Sequence, residues 1–112
     1  MKLVTAVVKP FKLDEVKVAL TKLGISGMTV TQARGFGRQG GHIEIYRGRE
    51  YEFDFVDKIR IDVACTDEQV EAVLDAIVAA AHTGSVGDGK AWVTSIEKVV
   101  RVRTNERGPE AL

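Results

Sequence analysis

The order of apolar and polar residues predicts two successive strand–helix–strand units. Residues 3–8 are apolar and rich in β-branched side chains, which is typical of a buried strand. A helix is predicted after Pro10, because apolar residues recur there at the spacing of one helix face: Leu13, Val16, Leu20 and Leu23. Gly24 ends this helix, and residues 28–33 form the second predicted strand.

The second unit repeats this order after a long polar stretch. Residues 37–55 show neither a helical nor a strand period, so we predict a long loop there. Residues 56–65 then alternate between apolar and mostly polar side chains, as a strand with one buried face does. Thr66 and Gln69 have the spacing of a capping box, and an apolar stripe behind them predicts a helix that ends at Gly84. Two further strands are predicted, over residues 91–96 and 99–103.

This order of elements is that of a split βαβ, ferredoxin-like α+β domain with an extra C-terminal strand. We predict one domain over residues 1–112, in which three segments differ from the regular elements: the loop 37–55, the glycine-rich segment 83–90 and the C-terminal segment 101–112. Two helices cover only one face of a sheet. The other face is predicted to carry Lys58, Arg60 and Asp62 with either Val4 or Thr5, and we hypothesise that it packs against further copies of the chain.

Composition and charge argue against some classes of function, such as binding to nucleic acid or to a membrane through overall charge. The 16 lysines and arginines balance the 16 aspartates and glutamates, so no overall field attracts nucleic acid or an anionic membrane. A single cysteine, Cys65, cannot form an intrachain disulfide and is predicted to fill the core. The sequence shows neither a signal-peptide pattern nor an apolar run long enough to span a membrane, so we expect a cytoplasmic protein.

The glycine-rich segment is the first candidate site. Residues 84–90 match the pattern GxxxxGK of the phosphate loop of nucleotide-hydrolysing enzymes. Ala91, however, stands where that loop needs a magnesium-binding hydroxyl, and the segment leads from a helix to a strand rather than the reverse. We therefore reject such an enzyme but retain phosphate binding, through backbone N–H groups freed by three glycines and through Lys90. A turn with no ligand is the alternative.

A pair of arginines supports phosphate binding. Arg101 and Arg103 lie two residues apart, so on a strand they share one face, and two guanidinium groups can hold phosphate oxygens bidentately. A solvated edge is the alternative. The pattern GxGxxG at residues 35–40 is not a dinucleotide fingerprint, since no helix is predicted after it, and the RNA-binding pattern that begins at residue 34 fails at Arg38.

With these segments placed, the chain closely resembles the PII nitrogen-regulatory signal proteins, of the GlnB and GlnK type, over essentially its whole length. The resemblance rests on six motifs together: VKPFKL at 8–13, GFGRQ at 35–39, YRG at 46–48, EY at 50–51, GDGK at 87–90 and RVRT at 101–104. It implies a regulator rather than an enzyme. It also implies a homotrimer of ferredoxin-like subunits, in whose intersubunit clefts ATP and ADP compete.

The resemblance also implies a role for individual residues. The phosphates are expected to contact Arg38, Gly87, Asp88, Gly89 and Lys90, with Arg101 and Arg103 from a neighbouring subunit. Thr29, Gly37 and Ala64 are expected to line the nucleoside. The effector 2-oxoglutarate is expected to bind in the ATP state through Mg²⁺, with Gln39 as the protein ligand of the metal, Lys58 on the distal carboxylate and Gly87 beside it.

The long loop is implied to contact the partner proteins. Tyr51 matches a tyrosine that some lineages uridylylate or adenylylate, and an unmodified contact residue is the alternative. The expected partners are an ammonium channel, a glutamine-synthetase modifying enzyme, a sensor kinase or an arginine-pathway kinase. No nucleic acid is expected, and a membrane only through a channel partner. Arg49 stands where the family usually has alanine or serine, which argues against recognition of the loop by a modifying enzyme or a channel. The alternative function is a divergent nucleotide sensor without 2-oxoglutarate response or tyrosine modification.

Overall fold

A computed structural model of the chain describes residues 1–36, 42–46, 49–53 and 55–112, and it describes side chains in 1–36 and 55–112. The strands are β1 (Lys2–Val8), β2 (Thr29–Phe36), β3 (His42–Tyr46), β4 (Arg49–Phe53), β5 (Phe55–Cys65) and β6 (Gly89–Ser95). The α-helices are α1 (Leu13–Lys22) and α2 (Val70–Ala81), and short 3-10 turns cover Pro10–Lys12, Asp67–Gln69 and Gly108–Ala111.

Four strands form one antiparallel sheet in the order β2-β5-β1-β6. The first strand lies in the middle, so that Val4 is opposite Val63 on one side and Val93 on the other. Both helices pack on the same face of this sheet, which confirms the ferredoxin-like α+β prediction.

The core lies between the helices and one face of the sheet. Its fully buried members alternate along β1 and β5 and recur on the helices, and they include Val4, Ala6, Ile61, Val63, Cys65, Val16, Leu20 and Val73. Cys65 therefore fills the core as predicted. Val4 belongs to the core, so the neighbouring Thr5 lies on the uncovered face, where its hydroxyl donates a 2.6 Å hydrogen bond to Asp62.

The predicted helix boundaries follow from local signals. Gln69 accepts a hydrogen bond from the backbone N–H of Thr66 at 3.0 Å, which completes the predicted capping box ahead of α2. Gly24 has φ 84°, a conformation that glycine adopts without strain after the end of α1. No helix in the described part of the chain is long and apolar enough to cross a membrane.

Two predictions about regular structure need correction. The segment 37–55, predicted as a loop, contains β3 and β4, which pair with each other as a separate two-stranded sheet. The fifth strand predicted over 99–103 is wrong, because only one antiparallel bridge joins Val100 to Arg107. The chain turns back there: the Asn105 N–H donates to the Arg101 carbonyl at 2.8 Å, and Asn105 has φ 62°.

Candidate functional site

The glycine-rich turn between α2 and β6 has a backbone shape that depends on its glycines. Gly87 and Gly89 have φ of 98° and 102°, which side chains other than glycine rarely adopt. At Gly89 a Cβ atom would lie 1.8 Å from the carbonyl oxygen of Val7, so the close approach of β6 to β1 also requires glycine. The N–H groups of Val86 and Gly87 donate to no acceptor among the described residues, so they are open to an anion.

Asp88 organises this turn from within. Its carboxylate accepts the N–H groups of Thr83 at 2.8 Å and Gly84 at 2.9 Å, the Thr83 hydroxyl, and the ammonium of Lys9 at 3.1 Å. These bonds, that of the Thr83 hydroxyl first, hold the pKa of the Asp88 carboxyl well below its usual range. The carboxylate therefore serves the turn itself.

Lys58 approaches the same turn from β5. Its side chain is only 6% exposed, and its ammonium donates a hydrogen bond to the carbonyl oxygen of Gly87. Burial lowers the pKa of Lys58, the charge of Lys9 lowers it further, and the Asp88 carboxylate acts in the opposite direction. The structure thus brings together Lys58 and Gly87, two of the residues predicted for 2-oxoglutarate. The ammonium of Lys58 is a buried cation, which suits a carboxylate ligand.

Lys90 extends the positive charge along β6. It pairs with Val7 across the β1–β6 ladder, directly after Gly89, and its side chain is exposed. The glycine-rich turn therefore has three lysines near it from three places in the sheet: Lys9 directly after β1, Lys58 on β5 and Lys90 on β6. Such a setting attracts phosphate or carboxylate groups.

A cavity of about 600 Å³ is lined by two of the three residues predicted for the nucleoside. Thr29 and Ala64 both line it, with apolar neighbours that include Ile25, Met28 and Leu112. Polar groups at its wall come from Asp62, Thr66 and Gln69. A mixed lining of this kind suits a flat polar ring such as a nucleobase.

Asp62 belongs to a network on the uncovered face of the sheet. Its carboxylate accepts from Thr5 and lies 3.0 Å from the Nε of Arg60. Burial acts to raise the pKa of Asp62, but the hydrogen bonds from Arg60 and Thr5 lower it overall. An ionised Asp62 therefore stays paired on this face.

The two C-terminal arginines do not share a strand face, because the strand predicted for them is absent. The Arg101 guanidinium contacts the Glu106 carboxylate at 3.1 Å and the backbone oxygens of Glu110 and Leu112 at 3.3 and 3.1 Å. Arg103 is exposed. Within the described part of one chain, no hydrogen bond or ion pair joins either arginine to the glycine-rich turn.

Several predicted residues lie outside what the structure describes. Gly37, Arg38 and Gln39 are outside the described residues, and Tyr51 lies in β4 with a side chain that is also outside them. Among the side chains that are described, no group of three or more His, Cys, Asp or Glu residues could hold a metal ion.

Sequence reasoning missed the contact of Lys9 with the turn, and it gave Thr83 no role beyond its place at the start of the segment 83–90. Lys9 follows a buried strand and precedes Pro10, a place where a lysine carries no particular signal. Asp88 accepts the N–H groups of Thr83 and Gly84, five and four residues upstream, and an aspartate within a turn was the one available indication, since aspartate commonly accepts nearby backbone N–H groups.

Comparison with known proteins gives matches along the whole chain. The family model described as nitrogen regulatory protein P-II matches residues 1–106. The chain is 57% identical to the nitrogen regulatory protein P-II of Azospirillum brasilense and 54% identical to that of Rhizobium meliloti. It is 52% identical to the nitrogen regulatory protein GlnK of Escherichia coli K12. Each alignment spans 112 residues and covers 100% of both chains.

Proposed function

The chain belongs to the nitrogen regulatory protein P-II family, and from that premise we propose that it is a signal protein that binds ATP and ADP competitively. The family name denotes a regulator, and we propose no catalytic step. The observation that carries the proposal is the glycine-rich turn, with open N–H groups at Val86 and Gly87 and with Lys9, Lys58 and Lys90 around it. Phosphates fit such a turn through backbone N–H groups and nearby cations.

The nucleoside is proposed to occupy the cavity lined by Thr29 and Ala64. Its apolar wall can stack a base, and its polar groups can read the edge of the base. Gly37 and Arg38 are proposed to complete the site from the segment that follows β2 (Thr29–Phe36).

We further propose a homotrimer, with Arg101 and Arg103 acting on the phosphates of a neighbouring subunit. Two observations support it: the helices leave one sheet face uncovered, and among the described residues no hydrogen bond or ion pair joins either arginine to the turn of its own chain. Trp92 lies on that uncovered face, opposite Thr5, and is 42% exposed. Sedimentation at micromolar concentration should give a trimer, and a 12.2 kDa monomer would count against the assembly.

For the effector, we propose that 2-oxoglutarate binds beside the ATP phosphates. The buried ammonium of Lys58 would take its distal carboxylate, since a desolvated cation binds an anion more strongly than an exposed one. Gln39 is proposed as the protein ligand of Mg²⁺, which would bridge the nucleotide and the 2-oxo acid. ATP and 2-oxoglutarate are then coupled, and each raises the affinity of the other.

The segment 37–55 is proposed to transmit the bound state to partners. It follows Phe36 and ends at Phe55, two residues that are paired in the sheet and whose rings lie 6.0 Å apart. A ligand at this root can shift the segment only by binding its alternative conformations with different affinity. Partner proteins of nitrogen metabolism would read that shift, and uridylylation or adenylylation of Tyr51 would change the charge and bulk of the contact surface.

Isothermal titration calorimetry tests the proposal directly. ATP-Mg is titrated with and without 2-oxoglutarate, and 2-oxoglutarate is titrated with ATP-Mg, with ADP and alone. The proposal expects 2-oxoglutarate to bind only with ATP-Mg. Nucleotide binding without any response to 2-oxoglutarate would instead identify a divergent nucleotide sensor, and the absence of nucleotide binding would refute the assignment of the turn.

A further inference from the structure

We propose that Lys9 is a positioning residue of the phosphate site, which acts through Asp88 rather than by contact with the ligand. The inference rests on the proposed nucleotide function. It concerns how the glycine-rich turn keeps its shape and how its one internal negative charge is neutralised.

The backbone around Lys9 is fixed on both sides. Lys9 follows β1 (Lys2–Val8) directly, and its carbonyl accepts the N–H of Lys12 at 3.0 Å in the turn that Pro10 begins. From this position the side chain, which is only 20% exposed, reaches across to the glycine-rich turn. Its Nζ lies 3.1 Å from Asp88 Oδ1 and 3.1 Å from the Thr83 hydroxyl.

These contacts close a ring of hydrogen bonds over the turn. Asp88 Oδ2 accepts the N–H groups of Thr83 and Gly84, and the Thr83 hydroxyl accepts the N–H of Ser85 at 3.2 Å. Lys9 binds the two side chains that organise the ring, Asp88 and Thr83. The N–H groups of Thr83, Gly84 and Ser85 donate within this ring, while those of Val86 and Gly87 donate to no acceptor among the described residues.

Electrostatics gives Lys9 its second effect. A carboxylate at position 88 stands between Gly87 and Gly89, where phosphate oxygens are proposed to bind, and it repels them unless a cation is paired with it. Lys9 supplies that cation at 3.1 Å. The other charged neighbours are Lys58, whose ammonium is bonded to the Gly87 carbonyl, and His82, whose Nδ1 lies 3.7 Å from Asp88.

The repulsion that appears without Lys9 must grow with the charge of the ligand. Replacing Lys9 by methionine keeps the apolar stem and removes the charge. We expect Lys9→Met to weaken ATP binding about tenfold, ADP binding less and adenosine binding less than twofold. A role for Lys9 in general stability alone would lower the affinity for all three by the same factor.

The experiment is calorimetric titration of ATP, ADP and adenosine into the full chain, at one salt concentration because screening changes the effect. Lys12→Met is the matched control: it removes the same charge three residues later, where the lysine pairs with Glu15 at 3.2 Å, and it should leave the three affinities unchanged. Lys9→Arg should retain most of the ATP affinity, since it restores the cation.

A double mutant separates action through Asp88 from direct contact with phosphate. In an Asp88→Asn background, where no carboxylate needs a partner, Lys9→Met should weaken ATP binding by less than twofold. An equal loss in both backgrounds would overturn the proposal and make Lys9 a direct phosphate contact, and equal losses for ATP and adenosine would also overturn it. If the wild-type chain binds none of the three ligands, the proposed function fails instead, before any variant is compared.

Discussion

Gly89→Ala should destabilise the fold, because two separate constraints meet at this residue. Its φ of 102° costs an alanine about 1–2 kcal/mol by itself. The new Cβ would also lie 1.8 Å from the carbonyl oxygen and 2.9 Å from the carbonyl carbon of Val7. Real Cβ contacts are essentially never shorter than 3.0 Å, so β6 has to move by more than 1 Å away from β1.

That movement disrupts the ladder in which Gly89 pairs with Val8 and Lys90 with Val7. We expect a total loss of about 3 kcal/mol or more in the free energy of unfolding, in the range of substitutions that force strain on a packed element. Urea denaturation at a fixed chain concentration measures it as a lower midpoint with an unchanged slope.

Two other glycines serve as matched controls. Gly24 has φ 84° but open space around its Cβ position, so Gly24→Ala should lose about 1 kcal/mol from backbone strain alone. Gly27 has neither constraint, and Gly27→Ala should stay within about 0.5 kcal/mol of wild type. If Gly89→Ala costs no more than Gly24→Ala, the close approach to Val7 does not require glycine, and the reasoning is refuted.

Three further changes test the site. Lys58→Met should abolish 2-oxoglutarate binding and change ADP affinity by less than about threefold in calorimetry, because it removes the carboxylate partner but leaves the N–H groups of the turn. Glu106→Gln should raise ATP affinity about twofold to fivefold, because it weakens the ion pair that Arg101 must break in its own chain before it can contact the phosphates of a neighbouring subunit. The midpoint of urea unfolding should stay the same. Asp88 has a folded-state pKa below its unfolded value, so its bonds stabilise the fold above about pH 4 and lose that effect as the pH falls further. Thermal melts between pH 5 and pH 2 should therefore show a steeper fall for wild type than for Asp88→Asn, and parallel curves would contradict the assigned bonds.

The sequence predicted the elements whose hydrophobic pattern is set by the core. The strand over 56–65 and the helix after Thr66 are confirmed because each buries one regular face. The pairing of β3 with β4 was not predicted, since the whole of residues 37–55 was interpreted as a loop without either period. The prediction of a strand over 99–103 was wrong because the alternation of valine and arginine does not show whether a neighbouring strand is available for pairing.

The candidate site was predictable only where residue type alone limits the chemistry. Glycine at 87 and 89 indicated an unusual backbone, and both have positive φ. That Lys58 is buried against Gly87 depends on contacts between residues 29 positions apart, which spacing in the sequence does not reveal. The same holds for Lys9 and Asp88, whose contact joins the end of the first strand, β1, to the turn that precedes the last strand, β6.

The central place of β1 in the sheet has a consequence for synthesis. This strand is translated before both of its partners, since Lys2 pairs with Cys65 on one side and with Ser95 on the other. A nascent chain therefore cannot close its sheet until β6 has left the ribosome, and until then the apolar strand has an unpaired edge. We expect chains that are stopped before β6 to depend on chaperones, although they already contain both helices.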